Sequence, residues 1–264
     1  HDRDLLNRAV TDILHLDQLG LTLYAGNYDS FEERRRMAQR QQADLITDPA
    51  ELLSLLQLEA ESLPEMLAAA QDFPLRVPRG YVRLMEPGNP DDPLLRQVLS
   101  VPAELREEEG YSSDPLEEAS HTPVPGLLHK YHGRALLVVT GACAVHCRYC
   151  FRRHFPYGDN QLVQKEWDSV IDYLTQHPEV NEVILSGGDP LMLKDSQLGP
   201  HIKKLNALPQ LKRLRIHSRL PIVIPSRINH ELLGWIKNSR LDIILVLHSN
   251  HSNEIEQSLA ENGS

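Results

Sequence analysis

The sequence predicts an α/β protein: a parallel sheet or partial (β/α) barrel, preceded by a helical N-terminal region. Three observations carry that expectation. Four short apolar runs of strand length, Ala135–Thr140, Glu182–Ser186, Arg213–His217 and Asp242–Leu247, fall in the second half of the chain. Helix-length segments such as Trp167–Gln176 and Leu198–Leu208 lie between them. Residues 1–121 lack this texture. Strands alternating with helices build parallel sheets, and such sheets bind ligands at the C-terminal ends of their strands.

Taken in order, Leu5, Leu6, Val10, Ile13 and Leu14 follow an approximate helical period. Asp48-Pro49 can start a second helix, carrying Leu52, Leu53, Leu55 and Leu56. A Pro- and acid-rich stretch runs from Glu86-Pro87-Gly88-Asn89-Pro90 to Glu117-Glu118. Seven carboxylates and one arginine between Glu104 and Glu118 suggest a solvated connector. The expected organisation is therefore residues 1–121, helical region and acidic connector, then residues 122–264, the sheet-forming core. Four strand–helix units do not close a barrel. The core is thus expected to be C-terminally incomplete, with the chain continuing beyond Ser264, and the start at His1 suggests trimming or a fragment.

Composition narrows the class. With 41% hydrophobic and 24% charged residues in 264, the chain is ordinary for a globular protein. No apolar stretch is long enough to span a bilayer and no secretory signal opens the chain, so a cytoplasmic protein without a membrane partner is expected. A net charge of −10 disfavours nucleic acid as a partner.

The three cysteines, Cys143, Cys147 and Cys150, fall within eight residues directly after the first strand. An odd, tight cluster is a poor disulfide framework and a good metal site. At C-x3-C-x2-C spacing, three thiolates can bind three irons of a [4Fe–4S] cluster and leave the fourth open to a small chelating molecule. The alternative is zinc with His146 or His154 as fourth ligand, although no second cysteine pair is present.

Other candidates sit at the following strand ends. Gly187-Gly188-Asp189-Pro190 ends the second strand; its glycines allow close backbone approach, and Asp189 can accept from an ammonium group. A tight turn is the plain alternative. Ser218 and Arg219 follow the third strand, and His248 the fourth. Just before the first strand lie Lys130, Tyr131 and Arg134. No Asp or Glu occurs from Ala119 to Gly158, while Lys130, Arg134, Arg148, Arg152 and Arg153 all do. Such a stretch suits phosphate or carboxylate ligands, or else a solvated basic face.

The cysteine motif after a first barrel strand resembles the radical S-adenosylmethionine (SAM) superfamily. More narrowly, the segments from Arg76 to Ile255, including Val124-Pro-Gly-Leu-Leu-His-Lys-Tyr-His132 and Cys150-Phe-Arg-Arg-His-Phe-Pro-Tyr157, resemble the lysine 2,3-aminomutases. They look nearest to the branch that makes β-lysine for elongation factor P (EF-P). The resemblance implies a [4Fe–4S] cluster on Cys143, Cys147 and Cys150, and SAM held by Gly187, Gly188, Asp189, Ser218, Arg219 and His248. It also implies a pyridoxal 5′-phosphate (PLP) phosphate near Lys130, Tyr131 and Arg134, and a substrate α-carboxylate on Arg152. Lys130 stands where a relative has arginine. The activity implied is an isomerase turning L-lysine into β-lysine, with a reductant such as flavodoxin or ferredoxin, a functional link to EF-P and its lysyl ligase, and room for a homo-oligomer. The alternatives are a free-lysine or glutamate 2,3-aminomutase, or a non-catalytic metal-binding domain. In the family the PLP-anchoring lysine lies further toward the C-terminus, so no catalytic residue of that kind is expected before Ser264. This chain alone is expected to assemble the cluster loop and much of the SAM site.

Overall fold

A computed structural model of the chain sets the four apolar runs side by side as parallel strands. It describes residues 12–17, 20–25, 44–59, 63–106, 110, 112, 114, 116–157, 162 and 166–255. Contacts divide the chain into two units, His1–Leu45 and Ile46–Ser264.

In the first unit, β1 (Asp12–Asp17) pairs antiparallel with β2 (Gly20–Ala25), Leu14 opposite Leu23 and Leu16 opposite Leu21. The helical expectation therefore fails at Ile13 and Leu14. Leu14, Leu16, Leu21 and Leu23 alternate at period two within the two strands, a signal that a 3.6-residue reading passes over. Leu5, Leu6 and Val10 lie outside the described residues.

The second unit opens with α1 (Pro49–Leu55), where Asp48 caps the helix by accepting from Ala50 N at 2.9 Å and Pro49 takes the first turn. Leu52 and Leu53 face the core. After α2 (Leu63–Asp72) the chain turns through buried Leu75, Val77, Tyr81, Val82, Leu94, Leu95 and Val98. The buried Asp92 carboxylate accepts from Leu94 N and Leu95 N, at 2.8 and 2.9 Å, which holds the turn without a regular helix. These side chains join one hydrophobic cluster with the sheet. Contacts thus place residues 46–121 in the same unit as the sheet, with no break at 121/122.

The sheet follows as β3 (Leu127–Tyr131), β4 (Arg134–Thr140), β5 (Glu182–Gly187), β6 (Arg213–Ser218) and β7 (Asp242–Leu247), in that spatial order. β3 runs antiparallel to β4 at one edge, and β4 to β7 are parallel. Three crossover helices join them: α3 (Glu166–Gln176), α4 (Asp195–Asn206) and α5 (His230–Lys237). α3 buries Trp167, Val170 and Leu174, and α4 buries Leu198, Ile202 and Leu205, each set spaced three or four residues apart as one helix face requires. Fully burying each such side chain is worth ~1.5–3 kcal/mol. Asn229 caps α5 by accepting from Leu232 N at 2.8 Å. The order is the α/β architecture that the alternation predicts, and the parallel strands aim their C-terminal ends at a common side. No helix of the described residues is long and apolar enough to cross a membrane.

Candidate functional site at the strand ends

One cavity of about 620 Å³ runs from these strand ends along a sheet face to Arg134, at the opposite end of β4. The candidates for cluster, SAM, PLP and substrate line it together: Cys143, Cys147, Cys150, Gly187, Gly188, Asp189, Ser218, Arg219, His248, Lys130, Tyr131, Arg134 and Arg152, whereas His154, the alternative zinc ligand, does not. Spacing in sequence is thereby converted into one shared space.

The cysteines lie on a loop tied down from both sides. His146 N donates to Arg76 O at 2.9 Å, His146 Nδ1 to Pro74 O at 2.8 Å, and Arg148 N to Gln97 O at 2.8 Å. His146 also stacks on Phe73, so its ring is committed to that segment and not to a fourth ligand position through Nδ1. Burial pushes the thiols of Cys143 and Cys150 above their ordinary range, and neighbouring thiols push the same way. A cationic metal group reverses such a shift, because it deprotonates the thiols that it binds. Among the described residues, no group of three or more His, Cys, Asp or Glu is arranged to hold a single ion. Three thiols in one loop match three irons of a cluster with one open iron, whereas a closed zinc site needs a fourth protein ligand and His146 Nδ1 is already committed to Pro74 O.

The arginines of the acid-free stretch do have acidic partners, supplied from elsewhere in the chain. Glu104 accepts from Arg148 and, at 3.0 Å, from Arg153, while Arg153 also reaches Asp72 at 3.1 Å. Burial, the largest single effect, would raise the Glu104 pKa, but the bonds and charge of Arg148 together with the bonds from Val101 N and Arg153 outweigh it and hold the carboxyl low. The buried Glu118 takes the Nε and Nη2 edge of Arg152 at 2.6–3.2 Å, and Ser186 Oγ accepts from Nη1 at 2.9 Å. The connector at Glu104 and Glu118 is therefore not solvated. Nor is Arg152 free of neutralising charge: its partner lies 34 residues away in sequence.

At the end of β5, Gly187 has φ +117°, and a Cβ there would sit 2.6 Å from Thr140 O. A Cβ on Gly188 would sit 2.5 Å from Ala142 O. Both glycines let this turn close on the cysteine loop, with Gly188 N donating to Thr140 O and Asp189 N to Ala142 O. The two Asp189 oxygens accept from Leu191 N, Ser218 Oγ, Arg219 N and Leu220 N, at 2.7–3.0 Å. Asp189 is thus a fastener between β5 and β6, and what the turn leaves for a ligand is the room beside its glycines. His248 N donates to Ser218 O at 3.0 Å, and its ring sits 5.6 Å from that of His217.

At the far end, Lys130 Nζ donates to Leu116 O at 3.0 Å, and Tyr131 is exposed. The buried Glu182 serves three arginines: Arg134 at 3.9 Å, Arg213 at 3.2 Å and Arg215 at 3.1 Å. Of the three, Arg134 lines the cavity, and with Lys130 it offers positive charge there to an anionic ligand. Sequence reasoning misses His217, which alternates along β6 as an ordinary strand polar position. It lines the cavity with Nε2 buried and unpartnered, and burial, with help from His248, lowers its pKa.

A partial parallel barrel with a three-cysteine loop after its first parallel strand defines a radical SAM core. Residues 137–246 match the family model of the Radical SAM superfamily. The chain is 55% identical over 224 residues to the L-lysine 2,3-aminomutase of Escherichia coli strain K12, covering 84% of this chain and 65% of that protein. It is 49% identical to the enzyme of that name from Haemophilus influenzae, over 81% of this chain and 64% of that protein. Against that of Clostridium subterminale it is 36% identical, over 78% and 50%. The chain is thus similar over most of its length to lysine 2,3-aminomutases, with a core that matches the radical SAM superfamily. It spans a little under two thirds of the length of the first two relatives and half of the third. The likeness implies a [4Fe–4S] cluster, SAM and PLP.

Proposed function

We propose that this chain forms the cluster, SAM and PLP-facing cavity of an isomerase that moves the α-amino group of L-lysine to the β-carbon, giving β-lysine. The carrying observation is that the three cysteines, the glycine turn and Arg152 line one cavity. When bound, the cluster and SAM supply a radical able to take hydrogen from an unactivated carbon, and PLP supplies the electronics that let nitrogen migrate. The chain's own residues bind and orient. Cys143, Cys147 and Cys150 hold the irons; Gly187, Gly188, Ser218, Arg219 and His248 surround SAM, with Asp189 fixing their turn. Lys130, Tyr131 and Arg134 face the PLP phosphate. Arg152, gripped on one edge by Glu118, presents the tips of its Nη1 and Nη2 to the substrate α-carboxylate. The setting we propose is cytoplasmic, with a flavodoxin- or ferredoxin-type reductant and EF-P, through its lysyl ligase, as the user of the product.

The test is anaerobic reconstitution followed by turnover. About four irons per chain are expected, and Cys147→Ala should abolish their uptake. The natural protein carrying this chain, supplied with SAM, PLP, reductant and L-lysine, should release β-lysine detectable by mass spectrometry. Arg152→Lys, which keeps charge but loses the fork, should cut turnover at least tenfold, equivalent to ~1.4 kcal/mol. One tight zinc per chain with no iron uptake would remove the cluster, and isomerisation of glutamate instead of lysine would remove the substrate.

A further inference from the structure

Arg219 does something the motif does not explain. The residue is 7% exposed, and its Nη1 donates to Cys147 Sγ at 2.8 Å and also to Tyr149 Oη. Its Nη2 is shared among three oxygens: Tyr81 Oη at 2.9 Å, Gln97 Oε1 at 2.7 Å and Glu254 Oε1 at 2.8 Å. Glu254 is 1% exposed and receives Tyr81 Oη at 2.6 Å and Asn250 N at 2.9 Å. A buried carboxylate needs such company, since a buried charge without a partner is strongly disfavoured. The fork is therefore gripped at one tip by residues from three separate segments, and its other tip is turned on the sulfur. Among the described residues, no side-chain hydrogen bond of this kind reaches Cys143 or Cys150.

We propose that Arg219, fixed by Glu254, Tyr81 and Gln97, is a positioning residue that raises the reduction potential of a [4Fe–4S] cluster through the hydrogen bond to Cys147 Sγ. The inference rests on the three cysteines holding that cluster. Reduction adds one electron, taking the cluster from the 2+ to the 1+ state, and so makes it more negative. A hydrogen bond and a positive charge at a coordinating sulfur stabilise the reduced form. Glu254 opposes part of that charge. Its role is to hold the fork in place at some electrostatic cost.

The two partners of one ion pair should then shift the potential in opposite directions, which a merely structural role would not do. The measurement is a dithionite titration of the reconstituted protein, followed by electron paramagnetic resonance with redox mediators and without SAM. Iron and sulfide are counted in every variant. Arg219→Met should move the midpoint to more negative values, and Arg219→Lys should move it less, because the charge remains. Glu254→Gln, which keeps the shape and one acceptor oxygen for Arg219 and Tyr81, should move it to more positive values. If Arg219→Met loses its iron, the lysine and glutamine variants decide the question. Iron retained with an unmoved midpoint, or shifts of the same sign from Arg219→Lys and Glu254→Gln, would overturn the proposal. Failure of the unaltered protein to take up iron would instead overturn the cluster assignment beneath it.

Discussion

At the scale of single residues, the pair Arg152–Glu118 decides how charge in this sequence is to be read. The acid-rich connector and the acid-free arginine stretch look like two independent surface features, yet the fold spends one on the other. Local charge patterning cannot show that, because the partners are brought together by the sheet between them. Both side chains are almost fully enclosed, at 7% and 11% exposure. Removing one partner of such a pair leaves the other charge stranded, at a cost of ~3–5 kcal/mol. Glu118→Ala should therefore lower the urea midpoint sharply. The double variant Glu118→Leu with Arg152→Met should recover much of the loss, because it leaves no unpaired charge. Equal stability of the single and double variants would show that the ion pair is not the cause. Cys143, Cys147, Cys150, Gly187 and Gly188 were legible from sequence, since their chemistry or their lack of a side chain is local. The fastening role of Asp189 was not, because its partners Ser218, Arg219 and Leu220 come from the end of the next strand and the turn beyond it.

At the scale of elements, β4 to β7 and helices α3 and α4 fall where the apolar runs and helical periods put them, within a residue or a few at each end. Continuous apolar runs read well because the strands of a parallel sheet covered by helices bury most of their positions. The β1–β2 hairpin does not read well, since its leucines satisfy two periods at once. The contact of α3 with α4 carries a pH-dependent signature. His201 on α4 stacks on Trp167 of α3 with ring centroids 4.0 Å apart, and its buried Nδ1 has no partner. Burial, helped by Lys204, lowers its pKa from 6.5 to about 4. The folded protein therefore keeps His201 neutral where the unfolded chain takes up a proton. Stability should fall as pH drops from about 6.5 to about 4 and level off below, losing up to about 3 kcal/mol from this group. His201→Phe keeps the stack and removes the proton. Its advantage over the parent, read from denaturant midpoints at a series of pH values, should widen across that window. A constant difference from pH 7 to pH 4 would rule the histidine out as the source.

At the scale of the whole sheet, the two edges are treated differently, and the difference bears on how the chain behaves in solution. One edge is closed by β3, which turns back against β4 and ends in Tyr131, opposite Arg134. At the other edge lies β7, and among the described residues no strand pairs beyond it. Its sequence, Asp242-Ile-Ile-Leu-Val-Leu247, is strongly β-forming, and Leu247 is 49% exposed. Ile243 and Leu245 pack on the core, so the alternate residues Ile244 and Val246 lie on the cavity face, beside Arg215 and His217 of β6. An apolar edge strand with no outer partner among the described residues is a template for another strand. The net charge of −10 opposes such pairing at low salt, and screening weakens that opposition. Self-association of this chain should accordingly increase from low to moderate salt. Ile244→Lys, which puts a charge in mid-strand, should suppress it while leaving the thermal transition of the core in place. Light scattering at matched concentrations would check both parts. Association that falls with salt, or that is the same in the lysine variant, would mean that the contact is made elsewhere than at β7.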